Sequence, residues 1–411
     1  MRLNKLASDL QRVTPASVAV DGVPTRARLD AAHAEWLQIR REMISAQEEL
    51  DWEVYGLYGL LGGDADDLVT NGSAPPLKLG ERAFEIALAR KIANGEAETE
   101  WFARHRSTPI IELPAHWPAE YRAVVQRRLE KIANDPYLHL IERPECKRRW
   151  ASRPWEDMER GAMRDWLCDR LEAHALWFRP DPGLRSVAQL ADALRTDADF
   201  VAVAGLYMRD ADLTGVVAEL VRDQHVPSLT TFRYTESGMR VRREWERTWE
   251  LQRQEDEGKK VGNIPVPLKY KQGDFRDKAY WRNRGKLDVP KERFIFYPDC
   301  SRDGTLLLGW AGWDHLQQAQ ALAAYISERR ELDAWAATRL TPLLAGLAEL
   351  LPWLRQWHGV VDPAFGQSPA GAYEQFLDQQ LLSLRLTQDD LTAWKPQLPP
   401  RGRRTAQRAV S

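Results

Sequence analysis

The chain has 411 residues, enough for two or three domains with sizeable cores. Its formal net charge of -2 excludes the overall basic character of a nucleic-acid coat protein, so any nucleic-acid surface has to be local. Three scattered cysteines, Cys146, Cys168 and Cys300, argue against a disulfide framework and fit a reducing cytosol. No apolar run approaches the roughly 20 residues of a membrane span. We therefore expect a cytoplasmic protein with no membrane partner.

The first predicted element is a long amphipathic helix over residues 26–61. Apolar residues recur there at seven-residue spacing, and Gly62-Gly63 is expected to end the helix. At 1.5 Å per residue such a helix is ~50 Å long, so it must lie against another domain or a partner. We expect residues 1–63 to form a docking helix and the polar, proline-bearing run 64–79 to be a linker.

Helical patterns fill residues 80–226 and 301–394, which we expect to be two helical domains. Ser186 and Asp212 are predicted N-caps in the first of them. Residues 227–300 differ, because SLTTFRY at 228–234 and FIFY at 294–297 have strand propensity and flank a charged helix at 237–256. The fold class is therefore mainly α and multi-helix, with a small α+β insertion around residues 228–300. The basic tail, 395–411, contains no acidic residue and is predicted to be disordered.

Catalytic motifs are weak throughout the chain. The nearest match to the Asn/Asp-Pro-Pro-aromatic loop that holds a flipped adenine is Asn134-Asp135-Pro136-Tyr137, which lacks the adjacent prolines. It follows a helical pattern, so a proline-terminated helix end is the simpler interpretation.

Metal chemistry is equally poorly supported. Pro298-Asp299 beside a strand is typical of the first half of a nuclease motif, but no Glu-x-Lys follows at useful spacing. No Cys or His pair has zinc-ligand spacing, and His105 and His315 are lone histidines on helical patterns. We assign no catalytic, cofactor-binding or metal residue, and an autonomous Mg²⁺-dependent nuclease with an unrecognised centre stays open as an alternative.

The strongest functional signal is a basic segment over residues 259–293. It holds eleven Lys/Arg against four Asp/Glu, and four aromatic residues interleave with the charges. Lysine and arginine neutralise phosphates, and aromatic rings either stack on bases or anchor a solvated loop. The predicted nucleic-acid contacts in this segment are Lys259, Lys260, Lys269, Lys271, Arg276, Lys278, Tyr280, Trp281, Arg282, Arg284 and Lys286.

A second basic cluster lies between Arg143 and Arg153 and includes two tryptophans. Mixtures of this kind either contact phosphates or pack as cation–π pairs. From this cluster we predict Arg148 and Arg149 as nucleic-acid contacts.

Four long stretches carry a family resemblance: LDWEVYGLYGL from Leu50, VPSLTTFRYTESGMRVRREWERTWELQRQEDEG from Val226, YWRNRGKLDVPKERFIFYPD from Tyr280 and GWAGWDHLQQAQALAAYISERR from Gly309. Together they resemble the C-terminal region of the PglX family, the adenine-specific DNA methyltransferases of type 2 BREX (phage growth limitation) defence. The resemblance covers most of residues 26–390.

The family implies a full-length enzyme that uses S-adenosylmethionine, acts on DNA and works with other BREX components. Its donor-binding and target-adenine motifs lie N-terminal to the matching region, so the resemblance carries over no catalytic residue and implies no cofactor in this chain. We therefore expect a non-catalytic module that binds DNA and docks a methyltransferase catalytic domain or another BREX component. A protein-interaction scaffold without DNA contact is a further alternative.

Overall fold

The computed structural model describes residues 2–70, 74–298, 300–364 and 366–395. Within them the fold is mainly α with a small sheet, which confirms the predicted class. The chain divides into two compact units, within residues 1–166 and 167–411. The finer division drawn from the sequence stays a prediction, and its basic tail lies outside the described residues from position 396 onward. No helix in the described ranges is long and apolar enough to cross a membrane.

The first unit is built from helices alone in its described part. Their bounds are α1 (Arg2–Arg12), α2 (Pro15–Val20), α3 (Arg26–Leu57), α4 (Ala65–Leu68), α5 (Ala83–Ala93), α6 (Trp101–His105), α7 (Ala119–Asn134), α8 (Pro136–Ile141) and the start of α9 (Trp155–Leu171).

Helix α3 is the predicted long helix. It begins where the Thr25 side chain accepts a hydrogen bond from the backbone of Arg28, and it ends at Leu57, four residues before the predicted end. Gly59, at φ +73°, follows in a left-handed conformation that favours glycine, so the chain turns before Gly62-Gly63. The apolar side of α3 packs into one core with α5 and α7, while α1 lies along it. That side is therefore covered within the unit.

Buried charges also hold this unit together. The Arg128 guanidinium on α7 donates to both carboxylate oxygens of Glu49 on α3, at 2.9 and 2.8 Å. Its Nε donates to the Leu68 carbonyl at 2.8 Å. A bidentate pair of this kind is among the stronger polar contacts in proteins, so it fixes α7 against α3.

The second unit contains the remaining helices and the sheet. The helices are α10 (His174–Trp177), α11 (Val187–Leu194), α12 (Ala198–Tyr207), α13 (Leu213–Val221), α14 (Thr230–Arg233), α15 (Glu236–Asp256), α16 (Lys278–Arg284), α17 (His315–Asp333), α18 (Ala337–His358), α19 (Pro369–Leu384) and α20 (Gln388–Ala393). Ser186 and Asp212 cap α11 and α13 as predicted, because each side chain accepts a backbone hydrogen bond from the first turn.

The sheet has four short strands in the order β1 (Arg185–Ser186), β4 (Leu307–Trp310), β3 (Phe294–Tyr297), β2 (His225–Pro227). β2 pairs with β3 in parallel, and the other two pairings are antiparallel. The strand predicted at 294–297 is confirmed, whereas the strand predicted at 228–234 is wrong. The extended segment stops at Pro227, and Thr230–Arg233 forms a helical turn because the Thr230 backbone and hydroxyl both donate to the Glu349 carboxylate.

Candidate nucleic-acid interface

The basic segment is held against the start of α15. The Asp274 carbonyl accepts from the Thr235 backbone at 2.8 Å, and its carboxylate accepts from the Ser237 hydroxyl at 2.8 Å. Gly238 allows this approach, because a Cβ at that position would lie 2.1 Å from the Asp274 carbonyl oxygen. The basic segment is therefore packed against the rest of the second unit.

Buried aromatic residues anchor the basic segment. Tyr234, Tyr270 and Phe275 form a buried cluster, in which the two tyrosine rings stack with centroids 5.2 Å apart. Tyr280 and Trp281 are half-buried against this cluster, and burial raises the pKa of Tyr280 to about 12. Of the two roles open to these rings, anchoring the loop is the one their packing supports.

The lysines of the basic segment lie on the protein surface. The Tyr270 backbone donates to the Lys286 carbonyl at 3.0 Å, which brings residues 269–271 beside residue 286. Lys269, Lys271 and Lys286 are exposed, and in the described chain none of their ammonium groups has an ion-pair partner. We call these three residues the lysine patch. Other predicted contacts that are also exposed are Lys259, Lys260, Arg276, Lys278 and Arg282, of which Lys259 pairs with Glu257 at 2.6 Å and Arg282 with Asp223 at 3.2 Å.

Arg284 is placed differently from the other predicted contacts. Its side chain is only 12% exposed, and it pairs with Glu292 and, at 3.7 Å, with Asp288. Burial lowers the pKa of Arg284. Arg233 and Arg242 approach the same Asp288 carboxylate at 3.9 and 3.7 Å. These three arginines with Asp288, here called the arginine cluster, form an internal network, whereas the sequence pattern indicated Arg284 only as a nucleic-acid contact.

A cavity of about 410 Å³ adjoins the arginine cluster. It lies between the basic segment and α15, α17 and α18, and its polar lining includes His315 and Glu349. Burial raises the pKa of Glu349 and lowers the pKa of His315, whose ring stacks on Trp353 with centroids 5.3 Å apart. In the sequence, His315 is only a lone histidine on a helical pattern. No local sequence motif therefore indicates the cavity.

The second basic cluster, in the first unit, separates into buried and exposed members. Lys147 is buried, and its ammonium donates to Asp51 at 3.0 Å and to the Tyr55 hydroxyl at 2.9 Å. The LDWEVYGLYGL stretch therefore supplies two partners of Lys147, and the buried Glu142 carboxylate is a third. Arg148 and Arg149 are exposed, and the Arg148 guanidinium lies 4.7 Å from the centroid of a Trp150 ring.

The candidate catalytic residues that the structure describes have structural roles. The Asp135 side chain caps α8 by accepting from the backbones of Tyr137 and Leu138, which confirms the helix-end interpretation. His105 is buried, and its Nδ1 lies 2.7 Å from the Trp101 carbonyl oxygen. Asp299 lies outside the described residues, and among those described no group of three His, Cys, Asp or Glu side chains could hold a metal ion.

Comparison with known proteins assigns this mainly helical chain to a family. Residues 43–405 match the model of a domain of unknown function (DUF7008), and the chain belongs to that family. Over 98% of its length it is also 46% identical to the adenine-specific methyltransferase PglX of Streptomyces coelicolor. The chain spans 34% of that relative, and the resemblance predicted from the four sequence stretches is confirmed. No solved structure matched the chain.

Proposed function

We propose that the chain is a DNA-holding module of a PglX-like, adenine-specific methyltransferase in BREX phage defence, and that it supplies no catalytic group itself. The full-length enzyme would use S-adenosylmethionine bound outside this region. Similarity to PglX supports the methyltransferase context, since that relative is named as an adenine-specific methyltransferase. The module would work in the cytoplasm, beside a catalytic domain or another BREX component.

The lysine patch is the observation that carries this proposal. Lys269, Lys271 and Lys286 are exposed, lie on neighbouring stretches of backbone and are held by a buried aromatic cluster. Phosphate neutralisation by such side chains releases counterions, which supplies affinity that does not depend on base sequence. Lysine acts here as a point charge, so the patch fits backbone contact better than base recognition.

Docking of the catalytic domain is proposed at the end of α3. The apolar side of this helix is covered by α1, α5 and α7. Leu57 and Tyr58, by contrast, are 85% and 79% exposed. Because a partner gains most from burying exposed apolar side chains, this end of the helix is the surface we assign to docking.

Fluorescence anisotropy with a labelled DNA duplex, over a range of salt concentrations, tests the DNA-binding proposal. The variant Lys269→Gln/Lys286→Gln should bind more weakly, and the slope of log affinity against log salt should fall by about 0.9 for each lost phosphate contact. The matched control is Lys5→Gln/Lys78→Gln, which removes two exposed lysines from the first unit. Equal losses in both variants, or salt-independent binding, would refute the proposal.

A further inference from the structure

Part of the basic segment is an irregular run at residues 264–268 with the sequence Ile-Pro-Val-Pro-Leu. Helix α15 holds this run by its backbone. The Thr248 hydroxyl donates to the Pro265 carbonyl at 3.0 Å, and Trp245 Nε1 donates to the Leu268 carbonyl at 3.1 Å. Because both bonds use main-chain oxygens of the run, its side chains are not needed for this attachment.

Two apolar side chains of the run point into solvent. Val266 is 90% exposed and Leu268 is 66% exposed, whereas Pro267 between them is buried. The run therefore faces the protein through Pro267 and presents both neighbours outward. We call Val266 and Leu268 the apolar ridge. A side chain as exposed as Val266 protrudes from the surface, so the ridge fits a partner that offers a groove.

The apolar ridge is also conformationally restricted. Val266 stands between Pro265 and Pro267. Each proline ring fixes its own φ, and a residue that precedes proline is confined to extended conformations. Little backbone freedom is left to lose when the ridge binds, so its binding cost is low for an exposed loop.

Positive charges surround the apolar ridge. Lys269 follows Leu268 directly, and the bond from the Tyr270 backbone to the Lys286 carbonyl brings a second lysine beside it. With Lys271 these residues are the lysine patch, whose ammonium groups have no ion-pair partner in the described chain. Lysine is depleted in protein–protein interfaces, whereas protein–DNA interfaces are strongly positive. The surroundings of the ridge therefore favour a polyanion with a groove, which is duplex DNA.

We propose that the apolar ridge enters the minor groove of DNA held by the lysine patch, and that Leu268 partly unstacks a base step and bends the duplex. The minor groove is about 6 Å wide, and proteins that bend DNA from this side insert apolar side chains such as leucine while cationic residues hold the strand. The inference rests on the proposed DNA binding by the lysine patch and adds a mode of binding to it.

Anisotropy titrations of Leu268→Ala over a range of salt concentrations test the inference on the full chain. The affinity should fall about tenfold or more, because apolar contact is lost. The slope of log affinity against log salt should stay unchanged, because no phosphate contact is lost. The variant should keep its fold, since the Leu268 backbone rather than its side chain bonds to Trp245.

Leu382→Ala is the matched control for this titration. Leu382 lies on α19 in the same unit and is 83% exposed, so its removal should leave DNA affinity unchanged. Unchanged affinity in Leu268→Ala would leave the apolar ridge to a protein partner and overturn the proposal. An equal loss in both variants would overturn it as well.

Energy transfer between dyes at the two ends of a duplex measures the bend. At saturating concentrations the wild type should raise the transfer efficiency above that of free DNA, and Leu268→Ala should not. Distamycin, which fills the minor groove of A·T-rich duplexes, should displace the wild type, and failure to do so would overturn the groove assignment. If the wild type binds with the expected salt dependence but leaves the duplex straight, this inference fails alone. If it binds no DNA, the proposed function fails too.

Discussion

Replacing Arg128 by methionine should destabilise the first unit strongly. The guanidinium is fully buried and donates three hydrogen bonds, two to Glu49 and one to the Leu68 carbonyl. Methionine keeps most of the side-chain volume but leaves the Glu49 carboxylate without its cation. Removing one partner of a buried ion pair costs about 3–5 kcal/mol, and we expect a loss in this range in the free energy of unfolding. Urea unfolding followed by circular dichroism measures it.

The exposed pair Arg104–Glu100 provides the control. Its side chains are 72% and 74% exposed, so Arg104→Met should change the free energy of unfolding by no more than about 0.5 kcal/mol. The double variant Arg128→Met/Glu49→Met should recover part of the loss, because no buried charge is left unpaired. Recovery is incomplete since the Tyr121 hydroxyl, which donates to Glu49, loses its acceptor. A cost for Arg128→Met as small as that of the control would refute the reasoning.

Two further perturbations follow from the structure. The Arg26 guanidinium holds the pKa of Glu159 below its usual 4.5, so the stability from this pair is complete above that pH and is lost as the pH falls through the lower folded value. The difference in free energy of unfolding between wild type and Glu159→Gln should therefore shrink on acidification, and a difference that grows would contradict the sign. Gly238→Ala should lower the free energy of unfolding by about 1–3 kcal/mol, because the new Cβ would overlap the Asp274 carbonyl. Gly205→Ala, with nothing within 4 Å of the Cβ on α12, should instead add about 0.5–1 kcal/mol in the same urea measurement.

Local sequence signals predicted the elements that local interactions stabilise. The apolar spacing in α3 gave its start at Arg26, and the caps of α11 and α13 depend on side chains that bond within their own first turn. The strand predicted at 228–234 failed for the opposite reason. Its Thr-rich sequence has strand propensity, but Thr230 bonds to Glu349, 119 residues away, and that contact favours a helical turn.

The prediction of nucleic-acid contacts was limited in the same way. Spacing identified a basic segment, but it could not tell a surface charge from a buried one. Lys147 belongs to the second basic cluster in the sequence, but its buried ammonium donates to Asp51, 96 residues earlier, and also pairs with Glu142. Arg284 stands among exposed lysines in the sequence, yet it belongs to the arginine cluster. Tyr270 and Phe275 lie between charged residues in the sequence. In the fold they belong to the buried cluster that anchors the segment.

The arginine cluster lies inside the second unit whereas the lysine patch lies on its surface, and this difference has a physical basis. A guanidinium is planar, weakly hydrated and able to bond several acceptors at once, so Arg233, Arg242 and Arg284 can be drawn into the interior around Asp288. An ammonium is compact and strongly hydrated, so Lys269 and Lys286 remain in water. The interior arginines hold Asp288 of the basic segment in place, while the lysines of the patch stay exposed to solvent. A chain with a net charge of -2 can still present a local cationic surface, because Lys269, Lys271 and Lys286 are exposed and have no ion-pair partner among the described residues.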